Sequence, residues 1–195
     1  MQSLCSRIVA LSLLLSGCYT VAGESLPPVS PVAPAQPPAV EHTVGAFTFR
    51  LGGGDPKPSF FDGQQLSTEV IGVWKKRGYI QDGQFVEGGE FTPASTLRLT
   101  LNGSLQGDVS FWMEVLNALT LTLVPYRVTQ HYDLQYVLQD VATGKVYEAK
   151  VQESEQTWVE GILILALPFS QRGHHAAMER MAEHLYDQLS RQRGS

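Results

Sequence analysis

Two thiols, Cys5 and Cys18, and five histidines are the scarce reactive side chains of the 195-residue chain. Nucleophilic catalysis needs a nucleophile beside an oriented base. His131 and Asp133 stand two apart on an alternating segment, so they share one face as such a base and its partner would. No nucleophile accompanies them: there is no Gly-x-Ser-x-Gly elbow and no His-Glu-x-x-His zinc motif. The best metal candidate is His174-His175 with Glu179, Glu183 and His184. His175 and Glu179, four apart, share a helical face. His175 and His184 are nine apart, about two and a half helical turns, and point in opposite directions. Gly52-Gly53-Gly54 lacks the Gly-Lys-Ser/Thr ending of a phosphate cradle and reads as a turn. The chain is therefore expected to be no enzyme, with neither metal nor cofactor.

Cys18 has a more specific setting. Arg7 is followed by the apolar run Ile8 to Leu15, the length of a secretory h-region. The run ends in Leu15-Ser16-Gly17-Cys18, which resembles the lipobox of bacterial lipoproteins: an aliphatic residue, two small residues and the cysteine that is acylated. The resemblance implies that residues 1–17 are a signal peptide and that the Cys18 thiol carries a diacylglycerol while its freed amine takes a third chain. Each buried methylene adds ~0.8 kcal/mol, so several chains anchor a protein stably without a spanning helix. Cys5 would leave with the signal, so no disulfide is expected. Tyr19 stands where an aspartate commonly retains such proteins in the inner membrane, which implies the periplasmic face of the outer membrane.

Fourteen Lys and Arg against 19 Asp and Glu leave no cationic excess to read nucleic acid. Six of the eleven prolines fall between Pro27 and Pro38. Prolines lack amide donors and favour an extended polyproline helix, so residues 18–43 are expected to form a lipidated N-terminus and a spacer from the membrane.

Residues 44–195 then read as a single α+β domain. Val44 to Leu51 alternates, with Phe47, Phe49 and Leu51 on one face. Asp62 to Arg77 has the helical spacing Leu66, Val70, Val73 and Trp74, with Asp62 as its N-cap, cations in the last turn and Gly78 as its stop. Period two returns at Ser95 to Leu105 and at Val128 to Gln139, and Ala142-Thr143-Gly144-Lys145 turns the latter into Val146 to Gln152 as a hairpin. Gln171 to Arg193 carries the stripe Ala177, Met178, Met181, Leu185 and Leu189. The order predicts two layers, a mainly antiparallel sheet with both amphipathic helices on one face.

Two segments break the alternation, Val109 to Val124 and Trp158 to Phe169, each too short to span a bilayer. Antiparallel pairing of the neighbouring strands brings both to one end of the sheet. They are expected either to pack as core or to form a contact surface for a membrane or an envelope protein, with Trp112, Leu116, Trp158, Ile162 and Leu165 at its centre. The plan of lipobox, spacer and small sheet with two helices is similar in outline to envelope accessory lipoproteins such as the lipopolysaccharide-assembly lipoprotein. That likeness implies a non-catalytic assembly role. The alternative expectation is a glycan-binding or hydrolytic domain using Arg98, Thr100, Asn102, His131 and Gln135 on the polar sheet face.

Overall fold

The computed structural model describes residues 20–22, 26–110, 112, 115–116, 119, 126–159 and 167–194. Among the described residues seven strands form one mixed sheet: β1 Thr20–Ala22, β2 Ala39–Leu51, β3 Lys57–Pro58, β4 Asp82–Phe85, β5 Leu97–Val109, β6 Tyr126–Asp140 and β7 Val146–Val159. Their order is β1-β7-β6-β5-β2-β3, with β4 also on β2. Helix α1, Phe60–Lys76, lies between β3 and β4 on the chain's way from β2 to the parallel β5, and helix α2, Leu167–Gly194, follows β7. The α+β class stands. The long β5, β6 and β7 are antiparallel, whereas β2 runs parallel to both β4 and β5.

Alternation explains which face is buried. Leu99 and Leu101 of β5 register with Leu138 and Tyr136 of β6, which register with Tyr147 and Ala149 of β7. All six are buried. Leu66, Val70 and Trp74 of α1 and Met178, Met181, Leu185 and Leu189 of α2 complete that core. The Trp74 indole N–H donates to the Ala182 carbonyl at 2.8 Å, and its ring centroid lies 5.9 Å from that of Tyr136. Gln188 and Gln192 of α2 serve the free edge of β7: the Lys150 and Glu148 amides donate to their side-chain oxygens at 3.0 and 3.2 Å. An exposed edge would invite strand addition, and these glutamines occupy it.

Several sequence boundaries move. β2 starts at Ala39, not Val44, so the last residues assigned to the spacer are core. Polar His42 and Thr43 hid the strand by interrupting the apolar pattern. Both are buried and partnered: His42 Nδ1 lies 2.9 Å from Ser67 Oγ, and Thr43 Oγ1 donates to the Val86 carbonyl at 2.7 Å. The α1 N-cap is Ser59 rather than Asp62. Ser59 is extended and its Oγ accepts the Asp62 amide, while the Asp62 carboxylate sits in the first turn, where the helix dipole favours it. Gly78 ends the helix at φ 73°, with its amide on the Lys75 carbonyl and that of Tyr79 on Trp74. The cations beside it reach further than capping. Lys75 pairs with Asp82 at 2.8 Å, Lys76 with Glu179 at 3.0 Å and Arg77 with Glu183 at 2.9 Å, so two of the three tie α1 to α2.

The proline segment does not project away. Leu26 packs against the core, and His184 of α2 hydrogen-bonds the Pro27 carbonyl. Pro31, Pro34 and Pro37 are half-buried, as is Pro38 beside the last, and residues 32, 33, 35 and 36 between them are exposed, a period of three that matches one face of a polyproline helix. The segment ends beside Trp74, Tyr79, Tyr186 and Leu189, where it walls a cavity of about 480 Å³. It is a strap along the body, tied to it at Leu26, Pro27 and the cavity wall.

Candidate functional site

The end of the sheet where β5 stops, β6 begins and β7 stops is the end to which the sequence assigned its contact residues. Val109 registers with Val128, Val128 with Thr157, and Thr157 with Thr20 of β1. Beyond this row, positions 112, 115, 116 and 119 are helical. Trp112, Leu116 and Leu119, spaced four and three apart, share one helical face. Trp112 and Leu119 are 72% and 76% exposed, and Leu116 is 45% exposed. Leu51, also exposed, registers with Gly107 at the same end, and exposed Phe61 lies in the first turn of α1, just after β3 pairs with Thr48 and Phe49. The alternative of a fully buried segment does not hold for Trp112, Leu116 and Leu119.

Trp158 lies in β7 opposite Arg127. The Trp158 side chain, Ile162, Leu165 and Cys18 lie outside the described residues. β7 continues to Val159 and α2 begins at Leu167, four residues before Gln171, so both ends of the second apolar segment are regular structure. Among the described residues no helix is long and apolar enough to cross a membrane.

Just inside the row is a polar cluster. Glu155, two residues before Thr157, is buried on the core face of β7. His174 of α2 reaches it through Nδ1 at 3.4 Å and reaches Glu69 of α1 through Nε2 at 3.1 Å. These bonds, to Glu155 first and Glu69 second, push the imidazole pKa up to about 10, so the ring is a cation at neutral pH. In return, Glu69 is held below the usual carboxylate range by His174. Tyr132 donates to Gln130 at 2.7 Å beside them, and its burial raises its phenol strongly. One turn and a half along α2, Arg180 pairs with buried Glu153, with Nε at 3.2 Å. The sequence offered His174 as part of a metal candidate and did not single out Glu153 or Glu155. Their odd-numbered register with Tyr147, Ala149 and Val151 was the available signal.

The other candidates separate. Glu179 is taken by Lys76 and Arg77, and among the described residues no group of three His, Cys, Asp or Glu side chains is arranged to hold a metal. His131 faces Asp108 at 3.4 Å rather than Asp133, whose carboxylate pairs with Lys150 at 3.2 Å and accepts from Gln152 at 2.9 Å. Asp108 also binds Arg50 at 3.1 Å. The polar sheet face is thus crossed by side chains that satisfy one another, with a shallow depression of about 440 Å³ between Ser104, His131, Asp133 and Gln152.

No protein-family model matches the chain, and no curated protein matches it. Solved structures do. A protein of Xanthomonas campestris described as DUF330 is similar at 12% identity and a TM-score of 0.44, over 86% of this chain and 95% of that one. A minor lipoprotein from Acinetobacter baumannii is similar at 10% identity and 0.38, over 82% and 96%. The PelC dodecamer from Paraburkholderia phytofirmans is similar at 14% identity and 0.36, over 88% and 96%. Likeness at this level carries no argument about what this chain does.

Proposed function

We propose that the chain is a lipid-anchored accessory protein of the bacterial envelope, non-catalytic, held on the periplasmic face of the outer membrane and making contact through its apolar end. The observation that carries this reading is Leu15-Ser16-Gly17-Cys18 at the close of the apolar run Ile8 to Leu15. Exposure of Trp112 and Leu119 supports the contact surface, since apolar side chains grouped on one face mark interaction sites. The pairing of Asp108 with His131 and Arg50, and of Asp133 with Lys150, supports the non-catalytic part, because it leaves the polar face braced rather than poised. Metabolic labelling with a palmitate analogue tests the anchor. The mature chain takes the label, and Cys18→Ala abolishes it and leaves the protein unprocessed. An unlabelled mature chain overturns the reading.

A further inference from the structure

Thr20, the first described residue, stands at the same end of the sheet as the apolar side chains. Thr20, Thr157, Val128 and Val109 form one lateral row across β1, β7, β6 and β5. Neighbouring strands are ~4.8 Å apart, so the row spans about 14 Å. Cys18 precedes Thr20 by two residues, and two residues of extended chain reach at most ~7 Å. β1 then runs away from this end, from Thr20 opposite Thr157 to Ala22 opposite Glu155. The strap continues along α2, past His184, to the far end where β2 begins.

From this geometry we infer that the protein docks directly on the bilayer that holds its acyl chains, with the exposed face Trp112, Leu116 and Leu119 and the neighbouring Leu51 seated in the lipid surface. This rests on the proposed acylation of Cys18 and deepens it. Acyl chains on Cys18 enter the hydrocarbon, which brings the row Thr20 to Val109 to the headgroup level. The described chain does not lift the body off, because Thr20–Ala22 is a strand of the sheet and residues 26–38 run along the body. At that depth the exposed apolar side chains leave water, and a tryptophan is well suited to the interface. Exposed Lys57 and Arg127, in register with Phe49 and Trp158, border the patch as cations where lipid phosphates stand. The opposite end, with Val141 and Val146 at the β6–β7 hairpin, faces the aqueous side.

The test uses the full lipidated chain, reconstituted in vesicles of phosphatidylethanolamine and phosphatidylglycerol. With Cys18 acylated and Cys5 removed, Leu119→Cys and Val146→Cys each supply a single thiol for a fluorophore at an exposed position. Brominated acyl chains quench the label at position 119 at least twofold and leave that at 146 unchanged. Equal quenching at both, quenching at 146 alone, or quenching at neither overturns docking. Palmitate labelling of the same preparations separates the two readings: a labelled chain with an unquenched 119 keeps the anchor and refutes the docking, whereas an unlabelled chain removes the anchor itself.

Discussion

A proton on His174 is held by two carboxylates, whereas a proton on His42 would be buried beside Ser67 with no anion to meet it. The His174 pKa of about 10 in the folded chain lies above the 6.5 of a free imidazole. The native state therefore binds this proton more tightly, and the stabilisation is complete below pH 6.5 and lost as pH climbs through 10. Burial lowers His42 to about 4, so there the unfolded chain binds the proton more tightly and stability falls as pH drops from 6.5 towards 4. Thermal unfolding across pH 4–10 is expected to give a melting temperature that declines on both sides of pH 6.5. His174→Gln flattens the alkaline limb and keeps the part of the acid limb that His42 sets, while the contribution of Glu69 at the acid end goes with it. At pH 6 it also costs about 2 kcal/mol, because Glu155 stays buried without its cation, a penalty moderated by solvent at a side chain one-third exposed. An alkaline limb unchanged by the substitution would show that the three groups do not share a proton in this way.

At the level of elements, the N-cap is a clean place to measure what one turn of backbone contributes. Ser59→Ala removes both the acceptor for the Asp62 amide and the hydroxyl that donates to the Asp62 carboxylate, and urea denaturation is expected to show a loss of about 1 kcal/mol, with Asp62→Ala costing less because the Ser59 oxygen still accepts the amide. A larger loss from Asp62→Ala would restore the sequence assignment of that residue as the cap. The contrast shows what was legible. Strands β5, β6 and β7 and both helices follow from period two and the helical spacing, since Leu97 to Leu101, Tyr132 to Leu138 and Leu66 to Trp74 repeat without interruption. Hidden were places where a polar group is buried because a distant element partners it: His42 by Ser67, Glu153 by Arg180, Glu155 by His174. No local pattern announces those pairs. At the candidate site, Trp112, Leu116 and Leu119 lie in an apolar segment visible in the sequence, whereas Leu51 joined them only through register and exposure. The close approach at Gly103, where a Cβ would stand 2.1 Å from the Asp133 carbonyl, likewise exists only once β5 and β6 are side by side.

For the molecule as a whole, the strap decides whether anchor and body move together or apart. A free proline-rich spacer would let the sheet tumble at a distance set by its contour, and nothing about the apolar end would follow from the position of Cys18. A seated strap removes that freedom. Its half-buried Pro31, Pro34 and Pro37 each restrict the unfolded chain as well as filling a face of the body. Replacing all three by glycine raises the entropy the chain must lose on folding by about 0.4–1 kcal/mol per site, roughly 1–3 kcal/mol together. In a free spacer the same replacement changes nothing, because that segment is equally mobile before and after folding. Urea denaturation of the triple variant is therefore expected to show a loss of that size, together with faster proteolysis between Leu26 and Pro38. Unchanged stability and unchanged cleavage would return the segment to the role of a tether, and the orientation of the apolar end towards the bilayer would lose its structural cause.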